Sequence, residues 1–267
     1  MGNLRDITLR ALDILRSVDL IASEDTRTTL KLLNHFDLKG PRLISFHEHN
    51  QKKRTEELLR ALKEGQKVAL VSEAGTPGIS DPGAYLVRRA HEEGLAVRPV
   101  PGPSALCCAL SVSGFPLKEG FVFLGFLPAK KARRERLLYA LRDEPRPLLF
   151  FEAPHRLEES LESLLEILGN REVFLAREMT KLHEEYLLTT LSTLKARFSQ
   201  EPPRGEFTLL VAGASKDRVS QAELERALKE ALAQGVSVKE AASLVAKRFS
   251  CGRKKLYELA LKIKETL

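Results

Sequence analysis

The chain has 267 residues, 43% of them hydrophobic and 30% charged. That composition supplies a packed core and excludes global disorder. No apolar run approaches the ~20 residues of a membrane helix, and no apolar segment follows Met1 as a secretion signal would. The net charge of +7 is uneven: residues 129–146 hold seven basic against three acidic side chains, and residues 216–267 hold twelve against seven. The rest of the chain is slightly acidic, at −2. Charge alone leaves two explanations open, a polyanionic partner or two solvated helix faces.

The length suggests roughly two domains. The first 115 or so residues alternate helical and strand patterns. Helices are expected over Ile7–Val18, Thr28–Phe36, Gln51–Lys63, Ala84–Glu92 and Ser104–Val112, from their apolar periodicity. Strands are expected over Leu20–Ala22, Leu43–Phe46, Val68–Val71 and Val97–Val100. Val68–Val71 is continuously apolar, as in a parallel strand buried on both faces. Strands spaced by helices predict βαβ units and a parallel sheet.

A second, more mixed unit follows, with partly antiparallel strands expected at Phe121–Phe126, Leu148–Phe151, Val173–Ala176, Tyr186–Thr189 and Phe207–Val211. Helices are expected over Arg133–Leu141 and over Leu157–Leu168, the latter closed by Gly169 and Asn170. Ala214–Asp217 reads as a linker. The tail reads as three helices, Gln221–Ala233, a second reaching Phe249, and Arg253–Lys264. Ser237 and Glu240 form a capping box, and Ser250-Cys251-Gly252 a turn, which together fit a helix-turn-helix. Arg253, Lys254 and Lys255 open the last helix, where cations oppose the helix dipole. Phosphate contact explains their placement; a plain three-helix cap is the alternative. The expected domains are therefore 1–117, 118–215 with the basic linker 129–146, and 216–267. Cys107, Cys108 and Cys251 include no CxxC and no histidine at metal spacing, so no metal site is expected and a reducing, cytoplasmic setting is.

Five loops after predicted strands gather polar or turn residues. The longest, Ser72 to Gly83, holds Gly75, Gly78 and Gly83 with two prolines. It sits where parallel sheets bind ligands, but it is neither a Walker loop nor GxGxxG. A second loop, Pro99 to Ala105, opens a helix near Ser104. The others are Ser23-Glu24-Asp25-Thr26-Arg27, Glu152-Ala153-Pro154-His155-Arg156 and Arg177-Glu178-Met179-Thr180-Lys181. Helix capping by Asp25 or Thr26 explains the first of these three equally well.

Gly2-Asn3-Leu4-x-Asp6-Ile7-Thr8, Glu24-Asp25-Thr26-Arg27, the Ser72 to Gly83 loop, Pro101-Gly102-Pro103, Gly125-Phe126-Leu127-Pro128 and Pro154-His155-Arg156-Leu157 occur in this order. Together they resemble the tetrapyrrole methylase superfamily, in its branch that methylates small-subunit ribosomal RNA. The resemblance spans nearly the whole chain. It implies an α/β fold of two domains, that of class III S-adenosylmethionine (SAM) methyltransferases, with a C-terminal helical segment. It also implies SAM as cofactor, a homodimer, and 2′-O-methylation of a cytidine in the decoding region of 16S rRNA. The superfamily's Gly-Asp-Pro loop corresponds to Gly75-Thr76-Pro77 here, and the Thr suits the RNA-modifying branch. Cofactor contacts are expected at Ser72, Glu73, Gly75, Thr76, Pro77, Ile79, Ser104, Ala105, Phe151 and Glu152. Family members begin with an apolar strand ending in Thr-Pro-Ile; Met1 stands at that Ile here. A truncation or misassigned start is expected, with unpaired backbone where that strand would lie.

A 2′-hydroxyl is a weak acid, so its methylation gains from a base or a nearby cation. Glu24, Asp25, Arg27, His155 and Arg156 are the catalytic candidates, without assigned roles. Lys130, Lys131, Arg133, Arg134, Arg253, Lys254 and Lys255 are the candidate RNA contacts. Two other functions compete: a tetrapyrrole C-methyltransferase, which leaves the basic tail unexplained, and a non-catalytic nucleic-acid-binding protein, which leaves the paired loops unexplained.

Overall fold

A computed structural model of the chain describes residues 2–214, 221–249 and 253–266. After a single 3-10 turn at Leu4–Asp6 come α1 (Leu9–Ser17), β1 (Leu20–Ser23), α2 (Thr26–His35), β2 (Arg42–Ser45), α3 (Gln51–Lys63), β3 (Val68–Val71), α4 (Ala84–Glu92) and α5 (Ala105–Val112). The three strands form one parallel sheet in the order β2-β1-β3. Alternation divides β1 between the two faces of that sheet. Leu20 and Ala22 face α3 and α4 with Ile44, Phe46, Leu58 and Leu86, while Ile21 packs with Leu12, Leu15 and Leu33 of α1 and α2.

Two expectations fail at the edge of this sheet. Val68–Val71 is half-buried throughout rather than buried on both faces. It pairs with β1 alone among the described residues, so its other side has no neighbour to cover it. Val97–Val100 is not a strand, and Val97 is exposed. A β-strand exists only through its ladder partner, and no described strand pairs with this segment. It is held through its carbonyls instead: Arg10 Nη2 donates to Pro99 O (3.0 Å) and Thr8 Oγ1 to Pro101 O (3.2 Å).

The second sheet is larger. It comprises β4 (Val122–Phe126), β5 (Leu148–Glu152), β6 (Glu172–Arg177), β7 (Glu185–Thr190) and β8 (Phe207–Val211), in the order β4-β5-β8-β6-β7. β8 runs antiparallel to both its neighbours, so the sheet is mixed as expected. Helices α6 (Lys131–Ala140), α7 (Pro154–Leu168) and α8 (Leu191–Phe198) cover one face. Phe150, Leu175 and Leu209 point there at 0% exposure. Leu149, Phe174 and Leu210 point the other way, against Ala109 of α5. The central strands β5, β8 and β6 are thus covered on both faces, which is why they read as continuous apolar runs. The chain pattern had not predicted α8, a short helix capped by Thr190.

The tail folds as α9 (Gln221–Ala233), α10 (Val238–Phe249) and α11 (Arg253–Thr266) around their own core of Leu228, Ala241, Val245, Leu256 and Ile263. The capping box forms: Ser237 Oγ accepts from Glu240 N (3.2 Å), and Ser237 N donates to Glu240 Oε2 (3.0 Å). The turn at 250–252 and most of the expected linker fall outside the described residues.

Candidate functional site

The loops leaving β1 and β3 emerge at one edge, because parallel neighbours end on the same side. Glu24 follows β1, and Ser72, Glu73 and Asp81 belong to the loop after β3. Gly83 shapes that loop. Its φ is +145°, and an added Cβ would stand 2.7 Å from Leu70 Cδ2, so only glycine lets the chain turn into α4 here. Ser80 holds a positive φ of 63°, a conformation that costs roughly 1–3 kcal/mol and gathers at functional sites.

The two Gly–Pro loops meet. Thr76 Oγ1 donates to Pro103 O (3.3 Å), and a Cβ on Gly75 would lie 3.9 Å from that same oxygen. Ser104 caps α5, its hydroxyl accepting from Cys107 N (3.5 Å), and Ala105 opens the helix. Pro77 is half-buried and Ile79 exposed.

The first sheet also reaches the second. A Cβ on Gly125 of β4 would lie 3.0 Å from Ser80 Oγ, at a strand whose register with β5 shifts between Phe123 and Phe126. Phe151 of β5 meets Phe123 and Phe126 edge-on at 5.2 and 5.7 Å between ring centroids. Phe126 keeps half its surface exposed. An aromatic wall therefore stands beside the Ser80 turn. On the same side, the loop after β6 approaches the N-terminal segment: a Cβ on Gly2 would lie 2.8 Å from Lys181 Cε.

The catalytic candidates separate in this geometry. Asp25 caps α2, accepting from Arg27 N at 2.8 Å and from Arg27 Nη2 at 3.2 Å. Those bonds hold its carboxyl below the usual range. Arg27 projects into solvent. Glu152 is fully buried, bonded by Ser160 Oγ (2.5 Å) and Ala153 N (3.0 Å), with Arg156 Nε 3.5 Å away. Arg156 also donates to the Leu127 carbonyl, fastening α7 to the strand-end loop after β4. His155 is exposed at the second position of α7. Glu24 stays near the β3 loop.

Asp81 was not among the predicted residues, although it lies in the most informative loop. Its acid is pushed up to about 6, chiefly by burial and next by the charge of Glu24. A hydrogen bond from Ser72 opposes the shift and the charge of Glu73 adds to it. The Ser72 hydroxyl also reaches the Ala74 carbonyl at 3.4 Å.

The basic candidates divide too. Lys130, Lys131 and Arg133 are exposed. Arg134 is not: only 2% of it is accessible. Its Nε donates to Ser163 Oγ (3.0 Å), and its Nη2 faces Glu159 at 3.5 Å. Residues 130, 131 and 133 follow the outer side of α6, while 134 turns onto α7, so an RNA contact by Arg134 is overturned. Arg253 is exposed; the side chains of Lys254 and Lys255 lie outside the described residues. Among the described residues no cluster of His, Cys, Asp and Glu could hold a metal ion.

Residues 1–195 match the family of Tetrapyrrole (Corrin/Porphyrin) Methylases. The fold agrees: the solved structure of the methyltransferase CobJ superposes with a TM-score of 0.59 at 20% identity, over 80% of this chain and 90% of that one. The cobalt precorrin-4 methyltransferase CbiF does so with a TM-score of 0.57 at 17% identity, over 79% and 90%. The chain belongs to the tetrapyrrole methylase family. Residues 218–264 match the RsmI C-terminal HTH domain. Relatives named Ribosomal RNA small subunit methyltransferase I include the Thermotoga maritima protein, 54% identical over 80% of this chain and 95% of its own length. The Synechocystis sp. protein is 46% identical over 98% and 95%, and the Escherichia coli O157:H7 protein 45% over 98% and 92%. Within its family the chain falls in that ribosomal RNA group.

Proposed function

We propose that the protein transfers a methyl group from SAM to the 2′-hydroxyl of a cytidine in the decoding region of 16S rRNA. The carrying observation is the likeness to the ribosomal RNA methyltransferases, which extends through the basic helical tail. The tail is what a porphyrin-directed reading leaves unexplained. The reading includes the domain division at 117 and 215, a homodimer and a cytoplasmic location. No helix among the described residues is long and apolar enough to cross a membrane.

The residues fit SAM. The face formed by Phe123, Phe126 and Phe151 suits an adenine ring. The joined loops at Gly75-Thr76-Pro77 and Ser104-Ala105 offer backbone groups for its polar parts, with Ser72, Glu73 and Ile79 alongside. Bound there, SAM would supply an electrophilic methyl on a sulfonium. Glu152 then acts through Arg156, setting the loop that carries Phe126 and Leu127. Much of the catalysis comes from holding the ribose oxygen in line with the methyl carbon. Arg27 and His155, both exposed in the first turns of α2 and α7, are the candidate phosphate contacts, and Glu24 follows β1 beside the β3 loop. Lys130, Lys131, Arg133 and Arg253 extend the RNA contact, with Lys254 and Lys255 beside them in sequence.

The test is transfer of labelled methyl from SAM to small ribosomal subunits, with mapping of the modified ribose. Label at one cytidine 2′-oxygen of the decoding region is expected. Label only on a porphyrinogen, or none on RNA, overturns the reading.

A further inference from the structure

Within the proposed site the chain needs one group to take the hydroxyl proton, and the candidates are not equivalent. Asp25 is engaged by Arg27 and held as a weak base. Glu152 is buried and occupied by Ser160, Ala153 and Arg156. Asp81 differs on every count. It lies between the Ser80 turn, which meets Gly125 of the second sheet, and Gly83, which fixes the start of α4. It is half-buried and faces Glu24 from the end of β1 and Glu73 and Ser72 from its own loop. Of the carboxylates at this edge it alone adjoins Ser80, which meets Gly125, the residue before Phe126 of the aromatic wall.

We infer that Asp81 is the catalytic base of this methyltransferase, accepting the ribose 2′-hydroxyl proton as the methyl group is transferred, with Glu24 and Ser72 as the positioning residues beside it. The inference rests on the 2′-O-methylation reading above. The step balances. A lone pair on the 2′-oxygen makes the new O–C bond. The electron pair of the breaking C–S bond returns to sulfur. The hydroxyl proton passes to a carboxylate oxygen of Asp81. An acid near 6 is ionised at neutral pH yet holds a proton better than an ordinary carboxylate, which is the range in which general bases work best.

The test uses the full-length protein. Carbon-13 NMR of the Asp carboxyls in the free protein should show one group, absent in Asp81→Asn, titrating near 6. Glu24→Gln should move that titration downward, because a neighbouring negative charge is lost. With small subunits as substrate, Asp81→Asn should lower kcat by roughly 10²–10⁴-fold and abolish the acid limb of the pH–rate profile. SAM affinity by calorimetry should stay within about threefold. Asp81→Glu should restore part of the rate with a shifted limb. An Asp81→Asn enzyme of near wild-type rate with its acid limb intact overturns the assignment. So does a variant that loses SAM binding in proportion to rate, since that marks a structural role. A wild-type protein that methylates no ribose defeats the parent reading instead, and the two failures are distinguishable.

Discussion

The two sheets of this molecule are built on opposite terms. The first has three parallel strands, its β3 half-buried along its length, and it carries two of the loops that define the site. The second has five strands, with β8 fully buried between β5 and β6. Its helices interlock on one face and α5 seals the other. Dry packing fixes a scaffold and leaves little freedom for loops; an open edge leaves strand ends free to be shaped by glycine and proline. The division places most of the stability in one half and most of the chemistry in the other.

The largest expected effect tests that division directly. Leu209→Ala, at 0% exposure in the second sheet, should cost about 2–5 kcal/mol. Leu70→Ala on half-buried β3 should cost less than half as much, because its site is partly hydrated already. Urea unfolding of both variants checks this, and equal losses would break the contrast.

A smaller pair separates scaffold from surface within one helix. Arg134→Met should cost about 2 kcal/mol by removing buried charge-assisted hydrogen bonds to Ser163 and the Pro128–Ala129 carbonyls. Arg133→Met should stay within about 0.5 kcal/mol. Affinity for ribosomal RNA should rank them the other way, with only Arg133→Met reducing the salt dependence of binding.

The tail gives a third, still smaller, contrast. Ser237→Ala removes a reciprocal cap and should cost about 1 kcal/mol. Because α9, α10 and α11 share a core of their own, hydrogen exchange should speed in α10 and leave β8 unaltered. Equal loss of protection in β8 would mean that the tail and the body unfold together.

Local signals made the elements readable. α3 and α4 have the bounds their apolar periodicity predicts, and Gly169 closes α7 where expected. Misreadings came from what is not local. Val97–Val100 has strand-like residues, but pairing is a property of two segments, and no neighbour among the described residues supplies it. Arg134 sits in a run of cations that reads as a solvated face, and its burial depends on Ser163, which sequence spacing does not place beside it. The same holds for the site. The Gly–Pro loops and the strand-end acids were legible as residues. That Asp81 is the acid pushed up, while Asp25 is held down, follows from the burial of Asp81 and the charge of Glu24, and from Arg27 engaging Asp25.

The last effect is one of sign. Asp81 has a folded-state pKa of about 6 against an ordinary 3.8. Between those values the folded protein holds a proton that the unfolded chain has released, so stability falls as pH rises through this window. Above it the full cost of the buried charge is present; below it the cost vanishes. Asp81→Asn should therefore melt at a higher temperature than wild type at pH 7–8, and the gap should close as pH falls toward 4. A gap that is constant with pH would show that the carboxylate carries no penalty there. A gap that closes would show a charge held against its own stability in the thinner sheet, tolerated because the thicker one has stability to spare.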